Sequence, residues 1–160
     1  MTEERLWAPW RMPYIKGPKS GECVFCSKPA WEDDESAGIV HRGEHSFVML
    51  NAFPYTNGHL MISPYLHTRT IEDLDQPTLL ELMTLSQRSL AALRSAYRPE
   101  GFNVGLNLGK VAGAGFDDHV HLHVVPRWGA DSNFMPVIGN ARVLPELLGD
   151  SYRALKAAWT

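Results

Sequence analysis

At 160 residues the chain is long enough for one domain with a real core, and its 44% apolar share is ordinary for a soluble globular protein. A formal charge of -3 supplies no basic field to hold nucleic acid, and no apolar run approaches the roughly 20 residues of a membrane span. The start, Met1-Thr2-Glu3-Glu4-Arg5, lacks a secretory signal, and the only two cysteines sit as Cys23-x-x-Cys26 rather than scattered as disulfide staples, so a cytoplasmic protein is expected.

The chain opens on an aromatic, proline-interrupted stretch, Leu6-Trp7-Ala8-Pro9-Trp10-Arg11-Met12-Pro13-Tyr14, expected as an extended arm within residues 1–20 that packs over a core edge, with a subunit interface or substrate wall as the alternative. Residues 28–38 carry Glu32-Asp33-Asp34-Glu35 and read as a solvated acidic loop. Short strands are expected over 38–41, 46–50 and 59–63, with Pro54 and Asn57-Gly58 marking the turn between the last two. Leu79, Leu82, Met83, Leu90, Leu93 and Tyr97 then recur at helical spacing. Asp75 stands as N-cap, Pro77 lies just inside, and Pro99-Glu100-Gly101 ends the element. Strands are expected over 102–108 and 120–125, and a C-terminal helix within 143–159, from Pro145 to about Ala158, on Leu147, Leu148, Tyr152 and Leu155. Strands on short connections with two main helices set apart predict an α+β domain with an antiparallel sheet, residues 1–160 forming one unit.

Within that frame His119-Val120-His121-Leu122-His123-Val124-Val125-Pro126 carries the strongest signal. Its period of two puts Val120, Leu122 and Val124 toward a core and His119, His121 and His123 on the other face. Packing alone rarely asks for three imidazoles, whereas imidazole accepts protons, donates them or attacks near neutral pH. Alternate strand residues stand about 6.6 Å apart, so the outer pair spans about 13 Å, too far for one zinc with about 2.1 Å bonds. The three therefore divide their roles among metal binding or orientation, attack and anion contact.

Cys23-x-x-Cys26 is half of a tetrahedral zinc site, or else a redox pair or two free thiols. All seven histidines fall between His41 and His123; His67, after the third strand, and His119 are the chosen partners. His41 and His45 flank a turn and are expected at the surface, and His59, at the start of a strand, reads as a structural histidine. Asn107-Leu108-Gly109-Lys110-Val111-Ala112-Gly113-Ala114-Gly115 is glycine-rich and runs toward the triad. It does not match the P-loop pattern, yet backbone N–H groups at Gly113, Ala114 and Gly115 suit a phosphate cradle. Asn51 fits a sugar diol or a plain turn equally well, and Asp117 and Asp118 either tune the triad or solvate the loop.

HVHLHVVP resembles the signature of the histidine triad (HIT) superfamily, His-x-His-x-His followed by apolar residues. Together with LWAPWRMPYI, CVFC, MLNAFPYTNGHLMISPYLH, NLGKVAGAG, HVHLHVVPRW and NFMPV, the chain is similar to the bacterial diadenosine tetraphosphate phosphorylase or adenylyltransferase branch over nearly its whole length. The resemblance implies a five-stranded antiparallel sheet extended across a homodimer, with a tetramer as the alternative. It implies a nucleotide substrate cleaved at the α-phosphate. It makes His121 the nucleophile that forms a nucleotidyl-histidine, with its second ring nitrogen held by the His119 carbonyl, and puts His123 at the phosphate or leaving oxygen. Asn107 and the 113–115 backbone would hold non-bridging oxygens, and Asn51 the ribose. It further implies one structural zinc per chain on Cys23, Cys26, His67 and His119. Many triad hydrolases carry Gln, Ser or Thr just before the triad; Ala114, Gly115 and Phe116 stand here, so backbone amides must serve.

The expected function is nucleotidyl transfer from adenosine polyphosphates with inorganic phosphate as acceptor. A water-using hydrolase or a nucleoside phosphoramidase is the related alternative. A nucleotide-binding sensor, and a zinc hydrolase ligated by His119 and His121, are the readings of other classes.

Overall fold

The computed structural model describes residues 22–129, 131 and 146–160; the expected aromatic arm, the NFMPV stretch and Pro145 lie outside them. Five strands form one antiparallel sheet: β1 (Ile39–Arg42), β2 (Ser46–Leu50), β3 (Leu60–Pro64), β4 (Gly101–Leu106) and β5 (Leu122–Arg127), in the order β1-β2-β3-β5-β4. The long helix α3 (Gln76–Tyr97) and the C-terminal α4 (Leu148–Ala158) cover one face, while the short turns α1 (Val24–Ser27) and α2 (Asp34–Ala37) precede the sheet. This is the expected α+β arrangement. Among the described residues no helix is long and apolar enough to cross a membrane.

Strand alternation sorts the core into two layers. Val48, Leu50, Leu60, Ile62, Val120, Leu122 and Val124 face the helices, with Leu82, Leu85, Leu93 and Leu155 opposite. Ile39, Phe47, Met49 and Met61 face the other way, beneath Phe25 and Ala37. The triad histidines share this second face, as the period of two predicts.

Helix α3 begins as expected, with the Asp75 carboxylate accepting from Thr78 N–H at 3.0 Å and Pro in the first turn; it ends at Tyr97, where Arg98 takes the left-handed region at φ 49. Its buried stripe differs from the expected one. Leu79 and Met83 are exposed, and Thr78, Ser86, Ser89 and Ala92 join Leu82, Leu85 and Leu93 underneath. Small residues let the helix axis approach the sheet, so burial follows side-chain size as well as hydrophobic spacing.

Other local differences have similar causes. The acidic loop contains a capped turn: Asp33 accepts from Glu35 N–H, and Gly38 closes α2 at φ 75, a value that favours glycine. His41 is half-buried rather than at the surface, because its ring stacks on Trp159 at 5.1 Å and its Nε2 accepts from Arg88 at 3.1 Å. The C-terminal helix starts at Leu148, and the strand expected over 102–108 ends at Leu106.

Gly58 closes the turn before β3 at φ 77, and an added Cβ would stand 2.9 Å from Leu93 Cδ2 and 3.1 Å from Tyr97 Cε2. Gly58→Ala therefore combines backbone strain with a clash against α3. Denaturant unfolding is expected to show a loss of about 1–3 kcal/mol; an unchanged midpoint would contradict the tight approach of this turn to the helix.

Candidate active site and metal centre

The triad does not form one regular strand. Laddering begins at Leu122, where Met61 pairs with His123 and Ile62 with Leu122. Residues 119–121 run on before it, held by contacts with β3 and the segment after it. Val120 N–H donates to the Thr68 carbonyl at 2.6 Å, and Ser63 Oγ donates to the Val120 carbonyl at 3.1 Å. The departure from the ladder frees the His119 carbonyl from sheet pairing. It accepts instead from His121 Nδ1–H at 2.9 Å.

That bond decides the tautomer of His121. With the proton on Nδ1, Nε2 carries the lone pair. His121 is 7% exposed, and burial pushes its pKa below the ordinary histidine value, keeping it neutral. An uncharged imidazole with a bare nitrogen is a nucleophile.

A second tautomer is set by a relay that the sequence reading did not foresee. Tyr55 N–H donates to His59 Nδ1 at 3.1 Å, which leaves the His59 proton on Nε2. His59 Nε2–H donates to His123 Nδ1 at 2.9 Å, so His123 presents Nε2–H as a donor. The His121 and His123 rings meet edge to face at 4.8 Å. A bare nitrogen and an N–H donor thus stand side by side, each fixed from behind. His59 is fully buried; the signal in the sequence is a histidine placed directly before the apolar run Leu60-Met61-Ile62.

Asn51 is drawn into the same network. Its Oδ1 accepts from Phe53 N–H at 2.9 Å, and its Nδ2 lies 3.4 Å from His59 Nδ1. Asn107 is half-buried just after β4. Beyond it the glycine-rich loop turns at Gly109 (φ 83) and Gly113 (φ 89), conformations that favour glycine, with open space where a Cβ would stand. Asp118 pairs with Arg69 at 2.6 Å and Asp117 lies 3.9 Å from Lys110, so both acids tie down the loop that leads into the triad.

His119, on the same face, serves another centre. Its Nε2–H donates to the Pro64 carbonyl at 2.9 Å, which leaves Nδ1 bare. Around that nitrogen lie Cys23 Sγ at 3.3 Å, Cys26 Sγ at 3.5 Å and His67 Nδ1 at 3.2 Å. The four ligand atoms all fall within 4.8 Å of one another, so the cluster can hold a metal ion. Two thiols and two imidazoles are the donor set of a closed tetrahedral zinc site, and the Pro64 carbonyl supplies the outer support that such histidines use. Burial pushes the Cys23 thiol up to about 11, although the Cys26 and Phe25 amides work the other way. A divalent cation among these donors would reverse that. Burial likewise lowers His119 to about 4.

Phe25, between the two cysteines, is the other residue the sequence reading passed over. It is 2% exposed and stacks on His121.

Comparison with known proteins agrees with this geometry. The HIT domain family matches residues 33–129. The AP-4-A phosphorylase of Mycobacterium tuberculosis is 41% identical over 165 residues, covering 98% of this chain and 84% of that protein. Among solved structures, a zinc-bound histidine triad family protein from Mycobacterium smegmatis superposes with a TM-score of 0.68 at 31% identity, covering 86% of this chain and 92% of that one. A HIT family protein from Bacillus anthracis gives a TM-score of 0.59 at 26% identity, covering 69% and 76%.

Proposed function

The chain belongs to the HIT domain family, and within it we propose an enzyme that transfers the nucleotidyl group of adenosine polyphosphates, diadenosine tetraphosphate above all, to inorganic phosphate. The observation that carries this reading is the pair of opposed tautomers: bare Nε2 on His121 beside Nε2–H on His123.

In the first step the His121 Nε2 lone pair attacks the α-phosphorus and the P–O bond to the polyphosphate breaks. His123 Nε2–H donates a hydrogen bond to the departing oxygen and keeps its proton, because the polyphosphate leaves as an anion. The product is a nucleotidyl-His121 whose Nδ1–H stays on the His119 carbonyl, where the bond strengthens as positive charge develops on the ring. In the second step an anionic phosphate oxygen attacks the same phosphorus, the N–P bond breaks with its electron pair returning to His121 Nε2, and the neutral Nδ1–H imidazole is restored. Diadenosine tetraphosphate then yields ATP first and ADP second. We place Asn107 and the Gly115 amide at the non-bridging oxygens; the expected Gly113 and Ala114 amides instead donate to the Lys110 and Gly109 carbonyls, at 3.0 and 3.4 Å, and shape the loop. Asn51 keeps one amide hydrogen beyond its His59 contact for a ribose hydroxyl.

Product analysis tests the acceptor. With phosphate present, ADP and ATP are expected in equal amounts, with little cleavage without it. AMP and ATP formed without phosphate would mean that water is the acceptor. No cleavage in either condition would favour a nucleotide-binding sensor.

Attack requires neutral His121, and burial holds its pKa below the ordinary value. The acidic limb of kcat/KM is therefore expected below about pH 6.5, the usual histidine midpoint, with activity lost only as pH falls past it. A limb above neutral pH would contradict the buried neutral imidazole.

We assign zinc, one per chain, to Cys23, Cys26, His67 and His119. Four protein donors leave no open position for water, so the ion would supply structure rather than a nucleophile. Its likeness to the zinc-bound Mycobacterium smegmatis protein supports the choice. We also infer a homodimer through β4. Among the described residues this strand has one neighbour, β5, and Val104 on it is 44% exposed. A monomer in sedimentation equilibrium would refute that.

A further inference from the structure

Cys23 and Cys26 stand one helical turn apart. Cys26 N–H donates to the Cys23 carbonyl at 3.0 Å and Ser27 N–H to the same oxygen at 2.9 Å. Between the two sulfurs the turn carries Phe25 inward. Its ring lies on the His121 imidazole, centroids 4.5 Å apart and planes 26° from parallel. It tilts against His119 at 5.3 Å and meets Phe116 edge-on at 5.8 Å. Any apolar side chain would fill this corner of the core. Only a flat one lies face to face with an imidazole.

The flat contact has a mechanical consequence. His121 is pinned at one edge, where Nδ1–H meets the His119 carbonyl. A single bond leaves the ring able to tilt about that point, because χ2 of histidine has a broad well. A near-parallel ring at stacking distance opposes the tilt. The direction of the Nε2 lone pair depends on that same plane.

We propose that Phe25 is a positioning residue for His121: held by the Cys23–Cys26 turn, its ring fixes the imidazole plane so that Nε2 points at the α-phosphorus. The proposal rests on the reading of His121 as nucleophile. Two supports then reach the imidazole from the metal-binding cluster, the His119 carbonyl at its edge and the Phe25 ring at its face. Phe25 itself touches no reacting atom.

The test compares metal-loaded wild type with Phe25→Leu, Phe25→Met and Phe25→Tyr. Bound zinc, KM, the single-turnover rate of nucleotidyl-His121 formation and the ring ¹⁵N signals of His121 are measured. Leu and Met fill the space without a flat face, and Tyr restores the ring. In the Leu and Met variants wild-type zinc and KM are expected. The adduct should form on the order of 10- to 100-fold more slowly, the scale of a misplaced reacting group. The single Nδ1–H tautomer pattern of wild type should broaden in both, and Tyr should recover most of the rate. Adduct formation at the wild-type rate without the ring, a loss confined to KM, or a loss in proportion to missing zinc would each overturn the role of Phe25. If Leu fails to fold, Met alone decides. A wild-type enzyme that turns over without any His121 adduct would instead overturn the reading of the site beneath it.

Discussion

His121→Ala is expected to bind nucleotide within about threefold of wild type and to lose turnover by at least roughly 10⁴-fold, the scale seen when a covalent nucleophile is removed. The reason lies in how little else at the site can replace it. His119 turns its bare nitrogen to the cysteines, and His123 has its Nδ1 occupied by His59. Its remaining nitrogen carries a proton. No other imidazole of the site presents a lone pair toward substrate. The substitution also deletes a buried ring from beneath Phe25, so a modest fall in stability accompanies the loss. Equilibrium binding of a non-hydrolysable dinucleotide separates the two effects. Lost binding would mean a collapsed site, and retained turnover would rule out the covalent path.

The second large effect concerns the metal cluster. Cys23→Ser, or exhaustive chelation, is expected to remove the ion and cost about 5 kcal/mol, lowering the thermal midpoint by roughly 10–20 °C. The cluster joins three separate parts of the chain: the Cys23–Cys26 turn, His67 after β3, and His119 before β5. Two sulfurs and two imidazole nitrogens lie within 4.8 Å of one another, a spacing that an ion shared among them would hold together. Activity should fall with folding, because the same segment carries the carbonyl that holds His121. A zinc hydrolase would behave differently, losing activity at once while keeping its midpoint. A chelated protein with unchanged melting and full activity would remove the cluster from the account.

What the sequence made legible follows from range. The boundaries of α3 were readable because Asp75, Pro77 and Pro99 act locally through caps and missing donors. The face on which the triad lies was readable from alternation alone, as Val120, Leu122 and Val124 confirm. The metal cluster needed the family resemblance, since no local rule brings His67 to Cys26 across 41 positions. The relay from Tyr55 through His59 to His123 depends on which ring nitrogen meets which amide, and that is set by the packing of β3 on β5. Phe25 reads as ordinary core until its ring is seen parallel to His121. The exposed Leu79 and Met83 show the converse failure: helical spacing alone does not register how closely Ser86, Ser89 and Ala92 let α3 approach the sheet.

The most direct test is to mix wild-type enzyme with diadenosine tetraphosphate without phosphate, quench under non-acidic conditions after the first half-reaction, and map the modified peptide by mass spectrometry. The account predicts an adenylyl group on a peptide containing His119-Val120-His121-Leu122-His123, localised to His121 and absent from His121→Ala. It also predicts that adding phosphate discharges the group as ADP. An enzyme that turns over with no covalent species, or one that carries the group on a different residue, would contradict it.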